Sequence, residues 1–166
     1  MHNRFGLKIS VLVVDDCAPM QKLLRVLLTN YGATEIVEAD NGRTALEVLQ
    51  GRSFDLIITD VAMRPMDGLE FSRQIRKPGS RVRPTVPVLM ISSHSDLPTI
   101  KAALDAGVTE FLVKPITSAN FYLRLDEALL STGSHIQADD YTGPDRRRLE
   151  NKLLTSKRRK VDAVHS

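Results

Sequence analysis

Apolar residues along the first 130 positions fall into two alternating patterns. Short, nearly continuous runs rich in Val, Ile and Leu occupy residues 10–14, 35–38, 56–59, 86–91 and 110–113. A run that is apolar at successive positions, rather than at every second one, describes a strand buried on both faces. Between these runs the spacing changes to three and four. Met20, Leu23, Leu24, Leu27, Leu28 and Tyr31 form one stripe, with Pro19 near its start and Gly32 just past its end, the asymmetry expected of a helix. Further helices are predicted over 44–50, 69–76, 99–106 and 118–130, with Gly51 and Gly107 as stops after the second and fourth. Strand and helix therefore alternate five times, which predicts an α/β fold, a doubly wound parallel sheet with helices on both sides.

Residues 131–145 (STGSHIQADDYTGPD) are polar and turn-rich and read as a linker. Residues 146–160 carry a thin stripe, Leu149, Leu153 and Leu154, enough for one short helix but not for independent folding. The expected organisation is an N-terminal extension over 1–7, one domain over 8–131 and a basic, flexible tail over 132–166.

Charge sharpens this division. Residues 134–166 hold eight Lys/Arg and five Asp/Glu, which leaves 15 of each sign in 1–133. The overall charge of +3 is thus a property of the tail and describes no nucleic-acid face on the main domain. A single cysteine, Cys17, rules out an internal disulfide. No apolar run approaches the roughly 20 residues of a membrane helix, and the N-terminus lacks a signal-peptide core. The expectation is a cytoplasmic protein without a membrane partner.

In a doubly wound sheet the chemistry collects at the carboxyl ends of the strands. Asp15 and Asp16 follow the first apolar run, Asp60 the third, Ser92 the fourth and Lys114 the fifth. Each alone has a bland reading, the acids as turn or cap residues and the lysine as a solvated side chain; their joint placement at strand ends is what points to a site. Two unit charges 4 Å apart repel by about 4 kcal/mol at an effective dielectric near 20, so converging carboxylates call for a cation. Oxygen ligands suit a hard ion, Mg²⁺ by preference. Such a cluster fits phosphoryl transfer, with an Asp as nucleophile and a metal, a lysine and a hydroxyl neutralising the phosphoryl oxygens.

The segments VLVVDD (11–16), ITDVAMRPMDGLE (58–70), VLMISSHSD (88–96) and AGVTEFLVKPI (106–116) together resemble the receiver domain of two-component response regulators over about residues 8–131. The resemblance implies a flavodoxin-like (βα)5 sheet with strand order 2-1-3-4-5. It implies Asp60 as phosphoacceptor, and Mg²⁺ held by Asp15, Asp16, Asp60 and the carbonyl of Ala62. It further implies Ser92 and Phe111 as the switch pair, Lys114 as the lysine next to a cis bond to Pro115, and Gly68 at a tight turn. Departures are Arg64 with Pro65 following, where a proline is usual at position 64, and a basic, long connection over 77–85. His94 and Cys17 beside the site read as a solvated loop residue and a small packed residue.

The implied partners are a histidine kinase or phosphotransfer protein and a downstream protein target, reached through the face formed by residues 97–130, which could also support a homodimer. The only enzymatic activity expected is the chain's own phosphoryl transfer and autodephosphorylation. Two alternatives remain. The basic tail could bind nucleic acid or an acidic partner, although it lacks interleaved aromatics. A flavin or nucleotide binder on the same architecture is disfavoured, because Asp15–Asp16 stands where a glycine-rich phosphate loop would be.

Overall fold

The computed structural model describes residues 8–131 together with 135–138 and 141–144. The extension 1–7 and the helix expected over 146–160 lie outside the described residues. The elements run β1 (Ile9–Val14), α1 (Ala18–Tyr31), β2 (Ala33–Ala39), α2 (Gly42–Gly51), β3 (Leu56–Asp60), α3 (Gly68–Arg76), β4 (Val88–Ser92), α4 (Leu97–Asp105), β5 (Glu110–Val113) and α5 (Ser118–Leu130). The first five strands form one parallel sheet in the order β2-β1-β3-β4-β5, as the resemblance implies.

Successive strand residues point to opposite faces, and both faces here are covered. Leu12, Val14, Ile57, Val88 and Met90 meet Ala45 and Leu49 of α2, Phe71 and Ile75 of α3, and Ile100, Ala103 and Leu104 of α4. Their neighbours Val11, Val13, Leu56, Ile58, Leu89 and Ile91 meet Leu24, Leu27 and Leu28 of α1 and Phe121, Leu125 and Ala128 of α5. This two-sided burial is why the strands read as continuous apolar runs.

Where boundaries differ from the sequence reading, caps and proline decide. Asn41, Asp67, Asp96 and Thr117 each accept a backbone N–H through the side chain and start α2, α3, α4 and α5. Three of these helices therefore begin up to two residues earlier than their apolar stripes suggest. The fourth strand begins at Val88, not at residue 86, because Pro87 has no N–H for the ladder. Val86 is buried nonetheless. The stretch read as a linker holds two short strands, β6 (His135–Ala138) and β7 (Tyr141–Pro144), paired antiparallel. Four residues are too few for period-two alternation to stand out in the sequence.

The long connection between α3 and β4 is tied down by a buried guanidinium. Arg76, 4% exposed, donates to the carbonyls of Gly107 at 3.1 Å, Pro84 at 2.7 Å and Val86 at 2.7 Å. Arg76→Met keeps the aliphatic stem but leaves those carbonyls, of which Gly107 and Val86 are in buried bonds, without this donor. It is expected to lower unfolding stability by about 2–4 kcal/mol, read from the urea midpoint.

Candidate functional site

The carboxyl ends of β1, β3, β4 and β5 lie side by side, and backbone hydrogen bonds extend the ladder one step into the loops. Asp15 N donates to Ala39 O at 3.0 Å, Val61 N to Ile91 O at 3.1 Å and Lys114 N to Ser92 O at 2.9 Å. These bonds fix where Asp15, Asp60, Ser92 and Lys114 leave the sheet. The sequence-predicted acids and lysine do converge. Lys114 Nζ donates to Asp60 Oδ1 at 2.8 Å, and Ala62 N donates to Asp60 Oδ2 at 2.9 Å. Both oxygens of Asp60, itself 7% exposed, are thereby oriented.

Asp15 is more deeply placed, at 1% exposure. Its Oδ1 accepts from Cys17 N at 2.8 Å, while Oδ2 is buried with no hydrogen-bond partner. Burial raises the pKa of this carboxyl above its ordinary 3.8. The Cys17 N–H opposes the rise, the Asp60 charge adds to it, Lys114 opposes it and Asp16 adds to it. A native-state pKa raised in this way makes Asp15 favour the fold below pH 3.8, and that contribution is lost as pH climbs through the raised value. Ionised Asp15 is therefore a cost to the metal-free fold at neutral pH. Burial pulls the Lys114 ammonium down, but the Asp60 hydrogen bond and the charges of Asp60 and Asp15 outweigh it, so its pKa is raised.

The remaining candidates occupy distinct positions. Asp16 is exposed on the rim. Ser92, buried at the end of β4, accepts at Oγ from His94 N at 3.0 Å, and Phe111 is buried in the core against the α4 side of the sheet. Arg64 and His94 are exposed, as is the Cys17 thiol at the N-cap of α1. The Lys114–Pro115 bond is cis, as expected, and so is Arg64–Pro65.

Gly68 departs from expectation. It opens α3 behind the Asp67 cap, and the need for glycine is a close approach: a Cβ there would stand 2.0 Å from the carbonyl oxygen of Asp60. The sequence reading also missed Gln21, whose Nε2 donates to Asp15 O at 2.7 Å and to Asp40 Oδ1 at 3.1 Å. No local signal marks Gln21, because its role depends on how α1 packs beside β2.

Among the described residues no group of three or more His, Cys, Asp or Glu side chains is arranged to enclose a metal. Mg²⁺ does not demand such a cage, since it keeps several waters and takes one or two carboxylates. The all-oxygen donors and the partnerless Asp15 Oδ2 fit a hard divalent cation. No helix among the described residues is long and apolar enough to cross a membrane.

Comparisons with known proteins agree with this fold. The family model for the response regulator receiver domain matches residues 11–126. The transcriptional regulatory protein ZraR of Klebsiella oxytoca is 35% identical over 127 residues, covering 76% of this chain and 28% of that protein. GlrR of Escherichia coli is 37% identical over 119 residues, 72% of this chain and 26% of its own. The chain thus spans little more than a quarter of these relatives. The solved chemotaxis response regulator CheY4 of Vibrio cholerae superposes with a TM-score of 0.67 at 30% identity, covering 74% of this chain and 99% of that one.

Two expectations concern stability. In metal-free buffer at neutral pH, Asp15→Asn removes a buried charge beside Asp60 and should stabilise the fold by about 1–3 kcal/mol, seen as a higher urea midpoint. Gly68→Ala forces backbone apart under Asp60 and should cost at least about 2–4 kcal/mol in the same measurement.

Proposed function

Since the chain belongs to the response regulator receiver family, a family of phosphorylation-dependent two-component switches, we propose that Asp60 accepts the phosphoryl group and that Ser92 and Phe111 relay its presence. The observation that carries this reading is the Asp60 carboxylate itself, held through both oxygens by Lys114 and the Ala62 N–H beside a buried, partnerless carboxylate oxygen of Asp15.

The donor is a phosphohistidine of a histidine kinase or phosphotransfer protein. Its P–N bond breaks as a P–O bond forms to an Asp60 carboxylate oxygen, and the released imidazole nitrogen takes up a proton. The Ala62 N–H fixes the rotation of the carboxylate, so the attacking oxygen is aimed before the donor arrives. Lys114 keeps a positive charge at the position where the phosphoryl oxygens bring negative charge. Receiver domains generally bind Mg²⁺ at this acidic pocket, and here Asp15, Asp16, Asp60 and the carbonyl of Ala62 are the residues that would hold it. When bound, Mg²⁺ supplies charge neutralisation for the transferring group.

Ser92 Oγ accepts from His94 N, so its own hydroxyl proton can be given to a phosphoryl oxygen. Movement of Ser92 toward Asp60 changes the packing beside Phe111 and shifts the surface formed by residues 97–130. Leu97 and Leu123 are each 56% exposed there and offer an apolar contact to a downstream protein or a second copy. Driving a two-state population from 1:99 to 99:1 takes about 5.5 kcal/mol of differential interaction. A dianion held by a metal, a lysine and a hydroxyl is of the right strength.

Incubation of the full chain with radiolabelled acetyl phosphate and Mg²⁺ should give an acid-stable, base-labile label that chelation with EDTA prevents. Asp60→Asn should abolish it, and Lys114→Ala should slow its appearance about 100-fold. Undiminished labelling of Asp60→Asn would refute the assignment.

A further inference from the structure

The basic connection over 77–87 has no part in the chemistry above. It contains Lys77, Arg81 and Arg83 and no acid. The buried Arg76 guanidinium holds it through Pro84 and Val86, and Arg83 donates to the carbonyl of Phe54 at 3.5 Å. Val86 is buried and Val82 partly buried against the core. The segment is thus a tied lobe, with Arg81 projecting as an exposed cation that pairs with no acid among the described residues.

Between this lobe and α2 lies a cavity of about 440 Å³ lined by Leu46, Leu49, Gln50, Ser80, Arg81 and Val82. Its floor is apolar, from two leucines of α2 and one valine of the lobe, and its rim offers a guanidinium, an amide and a hydroxyl. A concave apolar surface with a few placed polar groups is the usual form of a binding site. The cavity stands at the end of α2 and just before β4, the amino edge of the sheet. The acceptor rim is at the opposite edge, about 15 Å away along a five-residue strand.

We propose that this groove docks an acidic, apolar peptide segment of a partner protein. Alternate apolar side chains enter between α2 and the lobe, and a carboxylate pairs with Arg81. Charge complementarity selects this occupant: Lys77, Arg81 and Arg83 give the lobe three cations against no acid, and the leucine floor calls for aliphatic or aromatic side chains. Docking there leaves Asp60 accessible, so it does not depend on phosphorylation.

The test is amide NMR of the isotopically labelled full chain titrated with an eight-residue peptide alternating leucine and glutamate. Saturable shifts should centre on Leu46, Leu49, Gln50 and residues 80–82. They should persist in Asp60→Asn. Arg81→Glu, a change at an exposed position, should weaken binding about tenfold or more, and so should replacing glutamate by glutamine in the peptide. The proposal is overturned by a lack of saturation, by shifts spread over the surface and insensitive to Arg81→Glu, or by an oligonucleotide that binds the same groove more tightly than the peptide.

Discussion

Burial of two carboxylates at adjoining strand ends is the constraint around which this molecule is arranged. Asp15 at 1% and Asp60 at 7% exposure sit on neighbouring strands, registered so that Val14 pairs with Thr59. Folding alone does not favour that arrangement, because each charge loses water and gains a like neighbour. The surroundings offset the cost unevenly. Asp60 receives an ammonium and an amide, whereas Asp15 receives one amide and keeps one oxygen unpartnered. The imbalance leaves a directed need for positive charge on the Asp15 side, which a divalent cation would answer.

Much of this was legible in the sequence, and the reasons are specific. The doubly wound sheet could be read because β1, β3 and β4 are apolar at successive positions, which only two-sided burial demands. The convergence of the candidate residues could be read because the topology carries the ends of four strands to one edge, so residues as far apart as Asp15 and Lys114 become neighbours without any local pattern linking them. Boundaries were less legible. Asn41 and Asp96 start their helices through side-chain bonds to the first turn, from Arg43 N and Thr44 N in one case and from Thr99 N in the other, which the apolar stripe does not register. The role of Gly68 was hidden for a different reason. Its conformation is ordinary for a helix start, and what forbids a side chain is the carbonyl of Asp60 approaching from another element.

The same contact links fold to chemistry. Gly68 N donates to Val61 O at 3.0 Å while the missing Cβ admits the Asp60 carbonyl, and Thr59 Oγ1 donates to that carbonyl at 3.0 Å. The backbone on both sides of Asp60 is thus clasped by α3 and β3. A nucleophile gains from being held near its attacking geometry, since much of a bimolecular barrier is orientational. The loop beyond the strand carries Ala62, whose N–H completes the hold. Precision at Asp60, the proposed acceptor, is therefore a consequence of helix placement as much as of the charged residues.

The two edges of the sheet then divide the labour. At the carboxyl edge the strands end in charged and hydroxyl side chains that the proposed phosphoryl dianion would meet. At the amino edge the α3–β4 lobe is fixed by a buried guanidinium bound to three carbonyls from two connections. An element anchored in that way resists repacking, because moving it would leave the buried Gly107 and Val86 carbonyls without their donor. A rigid edge is suited to constant attachment and a responsive edge to conditional signalling. If both proposals hold, a partner docked at the amino edge would stay bound while Asp60 is charged and discharged.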